Sequence, residues 1–169
     1  MISIVIPVYN RNEELKRAIK SVLSQTIQDF EIWVVDDCSE TDLKTVCVGF
    51  NDRRIHYIRL NEKGNANVCR NTGISKASGE YIAMLDSDDE WMPHHLENKR
   101  DYITKNSVDG IFGSFVLDTG IATFDQISRP FHKNEKMVNY ILSDGLAQTS
   151  TYFFKAICAK KIKWDESLK

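Results

Sequence analysis

The sequence predicts an α/β fold: a mainly parallel central sheet with helices on both faces. Three features carry that expectation. Runs such as "SIVIPV", "FEIWVV" and "YIAML" are nearly continuous in apolar and β-branched residues, as strands covered on both faces are. Segments of helical spacing separate them, giving a β-α-β-α-β-α-β alternation. Polar residues then collect just after the first, second and fourth runs, where parallel sheets bind their ligands.

The elements follow in order. "SIVIPV" (3–8) is the first strand. In "NRNEELKRAIKSVLSQ", Leu15, Ala18, Ile19, Val22 and Leu23 fall at helical spacing, with Asn10 or Asn12 as N-cap and acids in the first turn. "FEIWVV" (30–35) is the second strand and "TDLKTVCVGF" a short helix. "IHYIRL" (55–60) is the third strand. "NANVCRNTGISKA" is a helix ended near Gly79, and "YIAML" (81–85) is the fourth strand. "PHHLENKRDYITK" is a helix with Pro93 at its first position. "GIFGSFVL" is a further strand. "DTGIATFDQISRPFHKNEK" is a connection or a β-excursion, "MVNYILSDGL" a short helix, and "STYFFKAIC" fits either helix or strand.

The 169 residues suffice for one domain with a sizeable core. A hydrophobic fraction of 42% and a charged fraction of 27% are ordinary for a soluble globular protein. The net charge of −2 argues against a nucleic-acid partner, which selects a basic face. No apolar run approaches the roughly 18 residues that span a bilayer. "MISIVIPVYN" lacks the basic region and cleavage site of a signal peptide. Cys38, Cys47, Cys69 and Cys158 form no C-x-x-C pair and read as reduced thiols of a cytoplasmic protein.

Two acidic clusters carry the chemistry. "VVDDCS" ends the second strand and "MLDSDDEW" the fourth. Like charges repel, so their crowding calls for a shared cation. An Asp at 88 or 89 can serve as a helix N-cap, but that does not account for two clusters on one edge. There is no G-x-G-x-x-G and no G-x-x-x-x-G-K-[ST], which excludes the dinucleotide-binding and P-loop signatures. An EF-hand reading of Asp86 to Glu97 fails because Trp91 occupies the glycine position. What remains is a divalent cation, Mg²⁺ or Mn²⁺, held by one or two carboxylates and by phosphate oxygens of a ligand. The cation turns repulsion between aspartates and a diphosphate into recognition.

"SIVIPVYN", "LKRAIKSVLSQT", "FEIWVVDDCS", "CRNTGI", "GEYIAMLDSDDEWMP" and "WDESL" occur in this order. Together they resemble the family 2 glycosyltransferases of the GT-A fold, along essentially the whole chain. The resemblance implies an inverting, nucleotide-sugar-dependent enzyme of hexosyltransferase type. Its implied partners are a UDP-sugar donor and a saccharide or lipid-linked acceptor, in bacterial surface polysaccharide or glycoconjugate synthesis. It implies that Pro7, Val8 and Tyr9 line the base pocket and that Asp37 accepts from the base's N3–H. Asp86 and Asp88 form the D-x-D element: Asp86 lies towards the ribose, and Asp88 reaches the metal with Asp89 adjoining. Arg70 and Asn71 match the family's "RN", with local packing and capping, or ligand contact, as their role. Glu13 is a helix-start charge or a site acid.

The family also carries a catalytic Asp in an "ED" motif soon after a segment like "WDESL", to take the acceptor's proton. The chain stops at Lys169. The resemblance thus implies a single GT-A domain over 1–169, cut short at its C-terminus. Residues 1–110 form the nucleotide-binding half and 111–169 the start of the acceptor-side half. The general base is expected beyond Lys169, and peripheral membrane contact is expected only of a longer protein. Two other readings stand beside this: a non-catalytic nucleotide-sugar-binding module, and a nucleotidyltransferase, whose Gly-rich, basic signature after the first strand is replaced here by "PVYNRNEE". His94 and His95 are expected to be exposed or cap-related, and His56 and His132 to be structural. Trp91 shapes a sugar pocket or packs in the core. Thr149, Ser150 and Thr151 form an acceptor-side wall or a polar loop.

Overall fold

The fold is seen in a computed structural model that describes residues 1–127 and 148–168. β1 (Ile2–Val8), α1 (Asn12–Leu23), β2 (Phe30–Asp36), α2 (Leu43–Val48) and β3 (Ile55–Arg59) come first. α3 (Ala66–Lys76), β4 (Tyr81–Met84) and α4 (His95–Asn106) follow. β5 (Gly110–Ile111), β6 (Phe115–Asp118) and β7 (Thr123–Gln126) precede a 3₁₀ turn (Thr149–Thr151), β8 (Phe153–Lys155) and α5 (Ala156–Ala159).

The described strands of the central sheet run in the order β3-β2-β1-β4-β8-β5. β1, β2, β3 and β4 pair in parallel, whereas β8 runs antiparallel to both β4 and β5. Alternation along β1 explains the two faces. Ile4, Ile6 and Val8 join Leu15, Ala18, Ile19 and Val22 of α1, with Leu43 of α2 and Leu96 of α4, in one buried cluster. Val5 points the other way, to Ile74 of α3, Met84, Ala156 and Ala159. Helices therefore cover both faces. Chain direction reverses between the β1-to-β2 and β3-to-β4 crossovers, so the switch point lies at the carboxyl ends of β1 and β4, where such sheets bind ligands.

Several boundaries differ from expectation, each for a local reason. α1 starts at Asn12 without a side-chain cap; Asn10 is diverted, its Oδ1 accepting from the Glu40 N–H at 2.8 Å. Pro93 precedes α4 instead of starting it, and its carbonyl accepts from Thr26 N–H at 2.9 Å. "GIFGSFVL" is two strands. β5 pairs with β8, and β6 leaves the sheet to form a hairpin with β7, whose turn uses Gly120 at φ +76°. "STYFFKAIC" divides into the 3₁₀ turn, β8 and α5. The helix expected over 137–146 and His132 lie outside the described residues. All four cysteines are free thiols. Among the described residues no helix is long and apolar enough to cross a membrane.

Candidate active site

β1 and β2 end side by side: their ladder runs to Val8 opposite Asp36, and the Asp37 N–H donates to the Val8 carbonyl at 2.9 Å. Val8 turns its side chain into the core, and Pro7 is also buried. Tyr9 lies half-buried beyond them, with the Lys63 ammonium 3.7 Å from its ring centroid. Lys63 is shifted above the ordinary lysine value, first by Tyr9 and further by the nearby charges of Asp37 and Glu40. Asp37 is buried; its Oδ1 accepts from the Gly64 N–H at 2.6 Å. That bond orients the carboxylate through one of its two oxygens.

β4 delivers the second cluster. The Leu85 N–H still bonds the Val5 carbonyl at 3.1 Å, and the acids begin one residue later. Each aspartate has a different answer to its charge. Asp86 pairs with the Arg70 guanidinium at 2.8 Å. Asp88, exposed, pairs with Arg11. Asp89 Oδ2 accepts from the Ser150 hydroxyl and from Gln148 Nε2 at 3.0 Å. Burial pushes the Asp89 carboxyl above its ordinary value, and the charges of Asp88 and Asp86 add to the shift against the bond from Ser150. The three carboxylates therefore sense one another, and among the described residues Asp89 has no cationic partner of its own.

The residues named in the sequence with open roles turn out to brace the acids. Ser150 is buried and bridges the cluster: it donates to Asp89 and accepts from the Asp86 N–H at 2.9 Å. It stands behind the acids, and the Trp91 indole N–H donates to its carbonyl at 2.7 Å. The Arg70 guanidinium that reaches Asp86 lies over the Trp164 ring, 4.8 Å from its centroid. The "WDES" segment is in turn clamped to α3: Asn67 donates to the Asp165 carbonyl, and Asn71 to the Trp164 carbonyl, at 2.8 and 2.9 Å. Local packing, one of the two roles expected of Arg70 and Asn71, is what these contacts are. His95, expected to be exposed or cap-related, is instead stacked on Trp91 at 4.5 Å. Burial pushes its imidazole down to about 3. Trp91 is buried in the core. Glu13 is an exposed helix-start acid paired with Lys16.

The donor set can be tested against a divalent cation. Among the described residues no group of three or more His, Cys, Asp or Glu side chains forms a metal cage. Adjacent hard carboxylates, incompletely neutralised, do fit an ion that takes one or two protein oxygens and completes its shell with phosphate and water.

The family model for "Glycosyl transferase family 2" matches residues 3–160. The chain belongs to glycosyl transferase family 2. It is 35% identical over 117 residues to the Escherichia coli protein named UDP-Glc:alpha-D-GlcNAc-diphosphoundecaprenol beta-1,3-glucosyltransferase WfgD, covering 69% of this chain and 46% of that protein. S. aureus TarS 1-349 in complex with UDP superposes with a TM-score of 0.80 at 22% identity, over 99% of this chain and 51% of that one. A mannosyltransferase of Pyrobaculum calidifontis, in complex with GDP-Man and Mn²⁺, superposes at 0.68 and 16% identity, over 91% and 44%. The fold is that of the GT-A glycosyltransferases. This family 2 chain spans about half the length of the relatives it matches.

Proposed function

We propose that the chain carries the donor site of a nucleotide-sugar-dependent glycosyltransferase of hexosyltransferase type. The reaction moves a sugar from a UDP-sugar to an acceptor hydroxyl, with inversion, in the making of a bacterial surface polysaccharide or glycoconjugate. One observation carries the reading: an aromatic ring, a carboxylate with one anchored oxygen and a three-aspartate cluster meet at adjacent strand ends across the switch point. The UDP complex of TarS and the UDP-Glc in the name of WfgD support the choice of donor.

Each residue then has a task. Tyr9 packs against the base, beside the backbone of Pro7 and Val8. Asp37 Oδ2 accepts from uracil N3–H, a donor that cytosine lacks. Asp86, held by Arg70, faces the ribose. Asp88 and Asp89 hold Mn²⁺ or Mg²⁺ together with the diphosphate. When bound, the cation supplies positive charge that offsets the charge of the departing diphosphate. The acceptor oxygen attacks the anomeric carbon as the bond to the diphosphate oxygen breaks, and the acceptor's proton goes to a base. No described residue is assigned that base. Asp165 accepts from Ser167, and Glu166 from Asn71. The acceptor is a saccharide or a lipid-linked saccharide, and work at the inner face of the membrane belongs to the same proposal.

Calorimetric titration of UDP tests it, with Mn²⁺ and with EDTA, on the wild type and on Asp88→Ala. The expected result is binding that needs Mn²⁺ and weakens in the variant by about ten- to hundredfold, as loss of a metal oxygen does. Equal binding in EDTA would remove the metal role. No binding of UDP by the folded wild-type chain would remove the donor assignment.

A further inference from the structure

We propose that Ser39 is a positioning residue of the donor site: acting through Asp36 and Asn10, it holds the loops after β1 and β2 in register, so that Tyr9 and Asp37 meet the base together. This rests on the donor-binding reading above.

The two loops share an unusual backbone. Asn10, directly after Tyr9, has φ +51°, and Cys38, directly after Asp37, has φ +62°. Left-handed backbone is costly for residues with a Cβ, and for cysteine more than for asparagine. Each turn thus follows a candidate base contact and bends the chain off its strand. Such turns persist when the surroundings hold them.

Ser39 supplies the hold. Its backbone N–H donates to Asp36 Oδ1 at 2.9 Å, and its hydroxyl donates to the same oxygen. A hydroxyl has one proton to give. With that proton directed at Asp36, its lone pairs are free to accept, and they take the Asn10 N–H at 2.9 Å. The Glu40 N–H to Asn10 Oδ1 bond, 2.8 Å, is a second tie between the same loops.

Asp36 is what aims the hydroxyl. It is fully buried, and it is anchored from β3: the Tyr57 hydroxyl donates to its Oδ2 at 2.6 Å. Arg59 lies 3.7 Å from that oxygen and also donates to the Ser39 carbonyl at 2.9 Å. A buried carboxylate supported in this way is stiff. Asp36 is fully buried and the Ser39 hydroxyl is taken up by Asp36 and Asn10, so whatever they do for binding passes through Asn10 and Asp37.

The test titrates UDP and CDP into wild type, Ser39→Ala, Ser39→Thr and Tyr57→Phe, with a thermal melt of each. Ser39→Ala keeps the backbone bond to Asp36 and removes only the hydroxyl bridge. Its UDP affinity should fall about tenfold, the effect of one well-made hydrogen bond. Its preference for UDP over CDP should shrink, because Asp37 no longer presents its Oδ2 squarely to N3–H. Ser39→Thr keeps the hydroxyl and should keep both affinity and preference. Tyr57→Phe, one step further away, should move the preference in the same direction by less. A merely structural role would lower the melting temperature and leave the UDP-to-CDP ratio where it was. That ratio unchanged in folded Ser39→Ala, or in Tyr57→Phe should the alanine variant not fold, overturns the proposal while UDP binding by wild type leaves the donor site standing. A folded wild type that binds neither nucleotide overturns the donor site and the positioning role together.

Discussion

His95 shows how a single side chain can couple this fold to pH. Its ring lies flat on Trp91, 7° from parallel, and its buried Nε2 has no hydrogen-bond partner among the described residues. Burial, with a smaller push from Lys99, keeps the imidazole neutral down to about 3, against 6.5 when free. The unfolded chain therefore binds a proton between pH 6.5 and 3 that the folded chain refuses. Stability from this group is complete above pH 6.5 and falls as the pH drops, by at most about 1.4 kcal/mol per unit. His95→Phe keeps the stack and removes the titration. Urea unfolding of the two proteins should agree within about 1.5 kcal/mol at neutral pH, the range of volume-conserving swaps. The variant should become the more stable as the pH falls to 4. Parallel curves down to pH 4 would mean that His95 is solvated in the native state.

At the scale of elements, α3 is held against the sheet at a point where only glycine fits. A Cβ on Gly73 would stand 2.4 Å from Val5 Cγ1 and 3.0 Å from Cγ2. Gly73→Ala should cost about 1–3 kcal/mol, as overpacking does. Adding Val5→Ala should return part of that loss, so that the pair is non-additive in denaturant midpoints. Strict additivity would show that α3 simply slides. Such closeness was not legible in "RNTGISKA", where Gly73 reads as one more helix residue. β1, β2 and β4 were legible because all of them are apolar on both faces. The acids were legible for the reverse reason: nothing in an apolar strand predicts three aspartates in four residues, so their placement stood out. β8 was not. Phe153, Phe154 and Lys155 are too few to show a period, and their direction depends on neighbours some seventy residues earlier. The hairpin of β6 and β7 was half-legible, as an excursion without a register. The bonds of Ser39 to Asn10 and of Ser150 to the acids could not be read from the sequence, because those partners lie far away along the chain.

For the whole molecule, the proposed donor site draws on residues far apart along the chain. Asp37 and Tyr9 come from the first strands, but the acid cluster is braced by Ser150, from the turn that leads into β8. Ser150→Ala should weaken Mn²⁺-dependent UDP binding by about ten- to hundredfold, the cost of losing a partner behind a metal ligand. Titrations in EDTA should change far less, since base contacts do not pass through this serine. An equal loss in both conditions would place Ser150 in general folding instead.

The antiparallel position of β8 also sets an order of events. β1 to β4 can pair as soon as they exist, but among the described residues the outer edge of β4 and β5 gain a strand partner only when Phe153–Lys155 arrives between them. Contacts of such long sequence separation form late, and an unpaired central edge invites association with other chains. During synthesis the acid cluster after β4 thus emerges before the serine that braces it. The step that seals the sheet is the same step that braces the aspartates, so a chain caught before it is both sticky and loose in its acid cluster.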